Sequence, residues 1–224
     1  MHGLLSATLK MFLPSFRLDT TLPPLIPYTP YVPSDEDIGK LMKALSGSEL
    51  EKAVLLAAFG SLRRSEISAL LDKDIQGNQV KIDKAMVKNE NKEWVIKVPK
   101  TRASYRVVEY PLEVIEKFTG ISGSLVRLNP DQITKQFSSA LKKNSIPHFR
   151  FHDLRHYQAS ILHALGVPDL YIMERGGWKT RATLDKVYKH VMDKKKQEVI
   201  KLANNHFSSL MQHEMQHENK INTK

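Results

Sequence analysis

Residues 151–166 have the sequence FHDLRHYQASILHALG. This stretch decides the fold because it predicts a helix with one apolar face and with polar, basic residues at its start. The apolar residues that share one face are Leu154, Ile161, Leu162 and Leu165. Gly166 follows them, and glycine is the residue type at which helices commonly end. His152 lies three positions before Arg155, so a helix that includes both places their side chains on one side of its first turn.

Further helical patterns on both sides of this stretch predict a chain that is mainly α-helical. Ser34 is a typical N-cap with Asp37 three positions on, and apolar residues then recur at helical spacing. Residues 48–60, SELEKAVLLAAFG, are apolar nearly all round, which predicts a helix in the core. The other predicted helices are residues 3–13, a helix after Pro111, residues 131–143, a short helix from Pro168 to before Gly176-Gly177, and a polar helix from Asp193 onward.

A strand-like pattern interrupts the helices in the middle of the chain. Three short runs carry β-branched and aromatic residues: QVKID (79–83), EWVIKVP (93–99) and SYRVVEY (104–110). Polar or glycine-containing turns separate them, which favours antiparallel pairing. The predicted fold class is therefore mainly α with a small three-stranded antiparallel β-sheet.

The composition points to a polyanionic partner. Among 224 residues, 34 Lys and Arg outnumber 24 Asp and Glu, which gives a formal charge of +10. Nucleic acid fits this charge first and an acidic membrane surface second, while a merely basic soluble protein remains the alternative. The absence of cysteine excludes disulfides, thiolate metal sites and thiol nucleophiles. The longest apolar run, residues 53–59, is too short to cross a bilayer, so we expect a soluble protein that is not exported.

Four short motifs carry the chemistry: LRRSE (62–66), PKT (99–101), HDLR (152–155) and VYKH (187–190). Each is short enough to occur by chance in a basic protein. Their order and spacing along one chain make the functional argument.

Around these motifs the sequence resembles the tyrosine recombinase family. The resemblance is carried by GSLRRSEISALLDKDI (60–75), by residues 151–166 and by GGWKTRATLDKVYKH (176–190). PKTRASYRVVEYP (99–111) resembles the β-hairpin lysine segment of that family. The match covers roughly residues 34–191 and implies the catalytic-domain fold of the DNA breaking-rejoining enzymes.

The resemblance implies an active site of two arginines, a lysine, a histidine, a tryptophan and a nucleophilic tyrosine. In this sequence those positions are Arg63, Lys100, His152, Arg155, Trp178 and Tyr188. Guanidinium forks suit the anionic transition state of phosphoryl transfer, so the two arginines are expected to hold the scissile phosphate. No energy-supplying cofactor is implied, because the phosphotyrosine link preserves the bond energy needed for rejoining, and no metal is implied, because the arginines stabilise the charge.

The other implied roles follow from the acid–base properties of each group. A phenol with an ordinary pKa of about 10 is a weak nucleophile at neutral pH, so Tyr188 needs nearby cations and a proton acceptor. His152 can bind the phosphate or help to move that proton. Lys100 is the candidate general acid for the leaving 5′-oxygen. Trp178 stands where histidine is commoner in the family, and its indole N–H can donate one hydrogen bond.

Several of these assignments have structural alternatives. Tyr188 is one of seven tyrosines, and Arg63 could be a surface charge paired with Glu66. Arg64 is an equally basic neighbour, which we assign to a DNA-backbone contact or a salt bridge. Lys100 competes with three nearby lysines, Lys88, Lys92 and Lys97. Six further histidines are interpreted as structural, DNA-facing or exposed: His156, His163, His190, His206, His213 and His217.

The predicted organisation has three segments. Residues 1–33 resemble the end of a core-binding domain and a linker, residues 34–191 the catalytic domain, and residues 192–224 a C-terminal helix or tail. The resemblance implies double-stranded DNA as partner, a homotetramer on that DNA with possible exchange of the tail, and accessory DNA-bending proteins. The expected location is the cytoplasm of a bacterial host, without a membrane partner.

The function that these inferences favour is site-specific recombination, which integrates or excises a phage or mobile element through a covalent 3′-phosphotyrosine and a free 5′-hydroxyl. The PKT hairpin resembles phage and conjugative-element integrases more than chromosome-dimer resolvases. Two alternatives remain open: strand passage like that of a type IB topoisomerase, and a non-catalytic DNA-binding regulator on the same fold.

Overall fold

A computed structural model describes residues 2–16, 31–98, 105–181 and 184–185. Its helices are α1 His2–Phe12, α2 Asp35–Leu45, α3 Glu49–Gly60, α4 Arg64–Ile67, α5 Leu112–Glu116, α6 Pro130–Lys143, α7 Asp153–Ala164 and α8 Asp169–Gly176. Its strands are β1 Ile75–Gln76, β2 Gln79–Ile82, β3 Ala85–Lys88, β4 Trp94–Lys97 and β5 Arg106–Glu109. The mainly helical fold class is thus confirmed. The predicted helix from Asp193 onward lies outside the described residues.

The predicted start of α2 is confirmed by a reciprocal cap. The Asp37 backbone N–H donates to the Ser34 hydroxyl at 3.2 Å, and the Ser34 backbone N–H donates to the Asp37 carboxylate at 2.9 Å. Tyr31 donates its hydroxyl proton to the same carboxylate at 2.6 Å. Both backbone donors would otherwise lack an acceptor. The cap therefore determines where helix α2 begins.

Helix α3 forms the centre of the core, as its all-round apolar sequence predicts. Ala53, Val54, Leu56 and Ala57 are fully buried. The helix packs against α2, α6 and α7, so three sides are covered. Each fully buried leucine or valine contributes about 1.5–3 kcal/mol to folding. This rigid helix ends at Gly60, immediately before the segment that carries Arg63.

The strands form two separate sheets, which refines the three-stranded prediction. A three-stranded antiparallel sheet has the order β1-β2-β5, with Val80 opposite Val108 on its buried face. The predicted strand at 93–99 does not join it, because β4 pairs with β3 in a two-stranded hairpin. Strand β3 was missed because none of its side chains is fully buried and it lacks an alternating burial pattern. The hairpin closes where the Asn89 N–H donates to the Glu93 carbonyl at 2.9 Å.

No helix within residues 2–16, 31–98, 105–181 and 184–185 combines the length and the apolar character needed to cross a membrane.

The end of α3 yields a stability prediction. A Cβ atom at Gly60 would overlap the buried Tyr110 side chain, whose hydroxyl donates to the Leu56 carbonyl at 2.9 Å. Gly60→Ala is therefore expected to lower the free energy of unfolding by about 2–3 kcal/mol, because the tyrosine ring must move. A Cβ atom at Gly39, within α2, would meet nothing within 4 Å. Gly39→Ala is accordingly expected to stabilise by about 0.5–1 kcal/mol. Urea unfolding of both variants measures the two changes in the free energy of unfolding. Equal changes in the two variants would contradict the close packing of Gly60 against Tyr110.

Candidate active site

The segment after α3 positions the first predicted arginine. Ser61 ends the helix in the left-handed conformation, with φ of 59°, and its N–H donates to the Ala57 carbonyl at 3.0 Å. The chain then reverses, so that Arg63 caps α4 and its backbone N–H donates to the Glu66 carboxylate at 2.8 Å. The Arg63 guanidinium also donates to Glu66, at 2.6 Å, and to the Gly177 carbonyl at 3.0 Å. Its remaining surface is open, since the side chain is 35% exposed.

The second predicted arginine, Arg155, is buried and held by backbone carbonyls. Arg155, in the first turn of α7, is only 1% exposed. One terminal nitrogen donates to the Ser61 carbonyl, and the other donates to the Gly176 carbonyl at 2.7 Å. Its guanidinium carbon lies 5.4 Å from the centre of the Trp178 ring. Two backbone turns and one aromatic face therefore fix the guanidinium.

A buried carboxylate organises the arginines. Glu66 is 3% exposed, and burial alone would oppose its ionisation. Hydrogen bonds and charge from Arg106, followed by the charge of Arg63, nevertheless lower the pKa of Glu66 to about 2. Arg106 donates to both carboxylate oxygens, at 2.8 and 3.2 Å. Glu66 is thus a permanent anion at neutral pH.

The predicted site residues meet at a small cavity of about 190 Å³, which leaves room for a phosphate group. Its lining comprises Leu62, Arg63, Arg64, Ser65, Phe151, His152 and Arg155. Burial and then the charge of Arg63 lower the pKa of Arg155, which shows that its cation is poorly compensated. An anion in the cavity would relieve this cost. The arrangement is therefore suited to binding a phosphate diester.

His152 lies at the mouth of this cavity, as the N-cap residue of α7. Its ring meets the His156 ring edge to face, with centroids 5.3 Å apart. Desolvation of the ring, and then the nearby Arg155 charge, lower the pKa of His152 to about 4, although the residue keeps an exposed surface. The histidine is therefore neutral near pH 7, where it can form hydrogen bonds but is a weak base.

This pKa gives a direct prediction. A histidine NMR titration of the DNA-free protein is expected to show one imidazole that titrates near pH 4 and is lost in His152→Gln. Because the folded pKa lies below the ordinary 6.5, the neutral form is favoured by folding, and this contribution declines as pH falls from about 6.5 towards 4. A His152 midpoint at or above 6.5 would contradict the described environment.

Trp178 joins the site through a glycine turn. Gly177 ends α8 with φ of 61°, and a Cβ at Gly176 would press on the indole ring. Trp178 is 9% exposed and belongs to a small apolar cluster with Ala159, Ile172 and Leu184. The turn therefore directs the Gly176 carbonyl to Arg155 and the Gly177 carbonyl to Arg63. It also places the indole ring beside Arg155.

The structure thus brings together Arg63, His152, Arg155 and Trp178 (four of the six predicted residues). Lys100 and Tyr188 lie outside the described residues. For Arg64, the salt-bridge alternative is the one the structure gives: its guanidinium lies 3.8 Å from Asp131 and donates to Thr134 at 2.6 Å.

Sequence reasoning missed two supporting groups. Arg106 lies in the segment PKTRASYRVVEYP, where sequence reasoning assigns it no role of its own, and its partnership with Glu66 spans 40 positions that no local pattern connects. Ser61 was missed because its contribution is a backbone carbonyl. The one available signal was the serine after Gly60 at the end of an apolar helix, where a left-handed cap is common.

Comparison with known proteins shows the family to which the chain belongs. A profile of the phage integrase family matches residues 34–195, which is most of the chain. A tyrosine recombinase XerC-like protein of Caldanaerobacter subterraneus is 26% identical over 212 residues, which cover 78% of this chain and 54% of that protein. The integrase of Salmonella phage P22 is 41% identical over 61 residues, which cover 27% of this chain and 16% of that integrase. The chain spans about half the length of the first of these relatives.

Solved structures share the fold. The Tn1549 transposon integrase, in complex with transposon right end DNA, superposes with a TM-score of 0.63 at 19% identity, covering 84% of this chain and 71% of that one. The catalytic domain of bacteriophage HP1 integrase gives a TM-score of 0.56 at 18% identity, covering 77% and 95%. The fold is that of the catalytic domains of the DNA breaking-rejoining enzymes. The chain belongs to the phage integrase family, the tyrosine recombinases.

Proposed function

We propose that this chain is the catalytic part of a site-specific recombinase that integrates or excises a phage or mobile element. The observation that carries the proposal is the cavity at which Arg63, His152 and Arg155 meet. Two fixed cations and a neutral imidazole around a phosphate-sized space are what phosphodiester cleavage requires. The proposed partner is double-stranded DNA, consistent with the charge of +10.

In the proposed reaction the two arginines hold the non-bridging oxygens of the scissile phosphate. Arg155 presents a guanidinium already oriented by two backbone carbonyls, so little reorganisation is needed when charge builds up. Arg63 is the more open of the two and can close on the phosphate from the solvent side. Glu66 holds Arg63 by a direct ion pair and acts on Arg155 through its charge alone.

Tyr188 then attacks phosphorus, and the bond from phosphorus to the 5′-oxygen breaks as the tyrosine–phosphorus bond forms. The phenolic proton passes to water, helped by a hydrogen bond to neutral His152, and Lys100 donates a proton to the departing 5′-oxygen. The products are a 3′-phosphotyrosine and a free 5′-hydroxyl. Attack by a different 5′-hydroxyl reverses the step, so rejoining needs no external energy source.

The proposed organisation keeps residues 34–191 as the catalytic domain. Residues 1–33 are proposed to end a DNA-clamping domain, and residues 192–224 to form a helix or tail that can be exchanged between protomers of a DNA-bound tetramer. Accessory bending proteins and a location at the nucleoid of a bacterial cytoplasm are parts of the same proposal.

A nicked half-site substrate tests the reaction, because loss of the short 5′-hydroxyl strand traps the covalent intermediate. The expected result is a DNA–protein complex that survives denaturing electrophoresis and is absent with Tyr188→Phe. DNA binding without this complex would favour the non-catalytic regulator. Relaxation of plasmids that lack recombination sites, without strand exchange, would instead favour topoisomerase-like strand passage.

A further inference from the structure

Arg106 is a buried cation that does not line the cavity. The groups that its guanidinium contacts nevertheless support the arginines that do line the cavity. It is the first residue of β5 and only 8% exposed. Two terminal nitrogens form a fork on the Glu66 carboxylate, at 2.8 and 3.2 Å. The same guanidinium donates to the Ser61 carbonyl at 3.4 Å and to the Arg175 carbonyl at 2.9 Å.

Each of these acceptors either binds one of the two cavity arginines or belongs to the residue next to one that does. Glu66 binds the Arg63 guanidinium and its backbone N–H. The Ser61 carbonyl is shared with Arg155. The Arg175 carbonyl directly precedes Gly176, whose own carbonyl accepts from Arg155 at 2.7 Å. Arg106 therefore touches the supports of both arginines.

We propose that Arg106 is a positioning residue for the strand-cleavage step, an inference that rests on the proposed function. Its guanidinium holds Glu66 and the Ser61 carbonyl so that Arg63 and Arg155 meet the phosphate at a defined separation.

Geometry separates this role from that of an ordinary buried ion pair. A buried pair contributes little net stability by itself, because desolvation offsets the attraction. Arg106, however, uses a planar fork on a carboxylate and two carbonyls of different chain segments. Lysine is a compact point charge and cannot reproduce that set of directions. The arrangement thus depends on guanidinium shape as well as on charge.

A double-mutant cycle on the cleavage rate tests the inference at saturating half-site DNA. Arg106→Lys is expected to slow cleavage roughly 10- to 100-fold, the usual range for loss of a group that orients a reacting residue. In an Arg63→Lys background the same change is expected to slow cleavage by a smaller factor than it does alone, because one of the two arginines that it positions is already altered.

Arg175→Gln is the matched control, since Arg175 donates to the Phe59 and Glu109 carbonyls and does not contact Glu66. Its effect on the rate is expected to be the same with and without Arg63→Lys. An equal, additive loss from Arg106→Lys in both backgrounds, or a rate like that of the unaltered protein, overturns the inference.

A measurement without DNA separates this inference from the proposed function. Carbon NMR of the Glu66 carboxyl is expected to show a higher Glu66 pKa in Arg106→Lys than in the unaltered protein or in Arg175→Gln. The reason is that a lysine at position 106 makes a weaker contact with the Glu66 carboxylate than the arginine does. An unchanged Glu66 pKa in Arg106→Lys contradicts the positioning contact. Absence of any covalent complex from the unaltered protein contradicts the proposed function instead, and the titration still decides the contact.

Discussion

Arg155→Lys is expected to lower the rate of covalent-complex formation by about 10²–10³-fold, the effect of losing one oriented donor at a developing anion. Arg155 is 1% exposed and uses both terminal nitrogens on the carbonyls of Ser61 and Gly176. A lysine ammonium cannot span these two carbonyls and still face the phosphate. Single-turnover cleavage of the nicked half-site measures the rate.

Arg127→Lys is the control for this change, because Arg127 is exposed, does not line the cavity, and donates its backbone N–H to Glu49 at 2.8 Å. We expect its cleavage rate to stay within about twofold of the unaltered protein, as for surface changes in general. Comparable losses in both variants would mean that the effect does not depend on the position of Arg155 at the cavity, which contradicts a specific phosphate clamp.

Glu66→Gln is expected to produce the largest loss of stability, about 3–5 kcal/mol, because it leaves buried arginine charge without its carboxylate. The side chain keeps its shape, so the effect reports charge and not volume. Cleavage is also expected to fall, since Arg63 loses the partner that holds it at 2.6 Å. Glu49→Gln, which removes a more exposed pair with Lys52, is the control and should cost no more than about 1 kcal/mol.

The same carboxylate predicts how stability depends on pH. The folded-state pKa of Glu66 is lowered from 4.5 to about 2. Its contribution is therefore complete above about pH 4.5 and is lost as pH falls towards 2, amounting to roughly 3 kcal/mol. Urea unfolding at pH 7 and pH 3 should show the gap between the unaltered protein and Glu66→Gln narrowing at the lower pH. A gap that stays constant would contradict the ionised pair.

Features with local causes could be predicted from the sequence. The Ser34 cap of α2 is readable because its partner, Asp37, is three residues away. The spacing of His152 and Arg155 follows from one helix turn, and both reach the same cavity. The pairing of Arg63 with Glu66 within LRRSE was readable because the two residues are equally local.

Features with long-range causes could not be predicted in this way. The pairing of β4 with β3 instead of β2 or β5 depends on which strands the core covers, and local alternation does not encode it. Arg106 reads as one more basic residue in a basic protein, until β5 brings it against Glu66. The carbonyl of Ser61 has no side-chain signature. Long-range packing therefore supplies the supports of the site, while local pattern supplies its reacting groups.

Peptide mapping of the trapped complex tests the central claim most directly. After nuclease and protease digestion, mass spectrometry should find a nucleotide phosphate on the peptide that contains Tyr188, linked through the 3′-phosphate with the 5′-end free. The same peptide from Tyr188→Phe should be unmodified. A phosphate on another residue, attachment through a 5′-phosphate, or no adduct despite DNA binding would contradict the account.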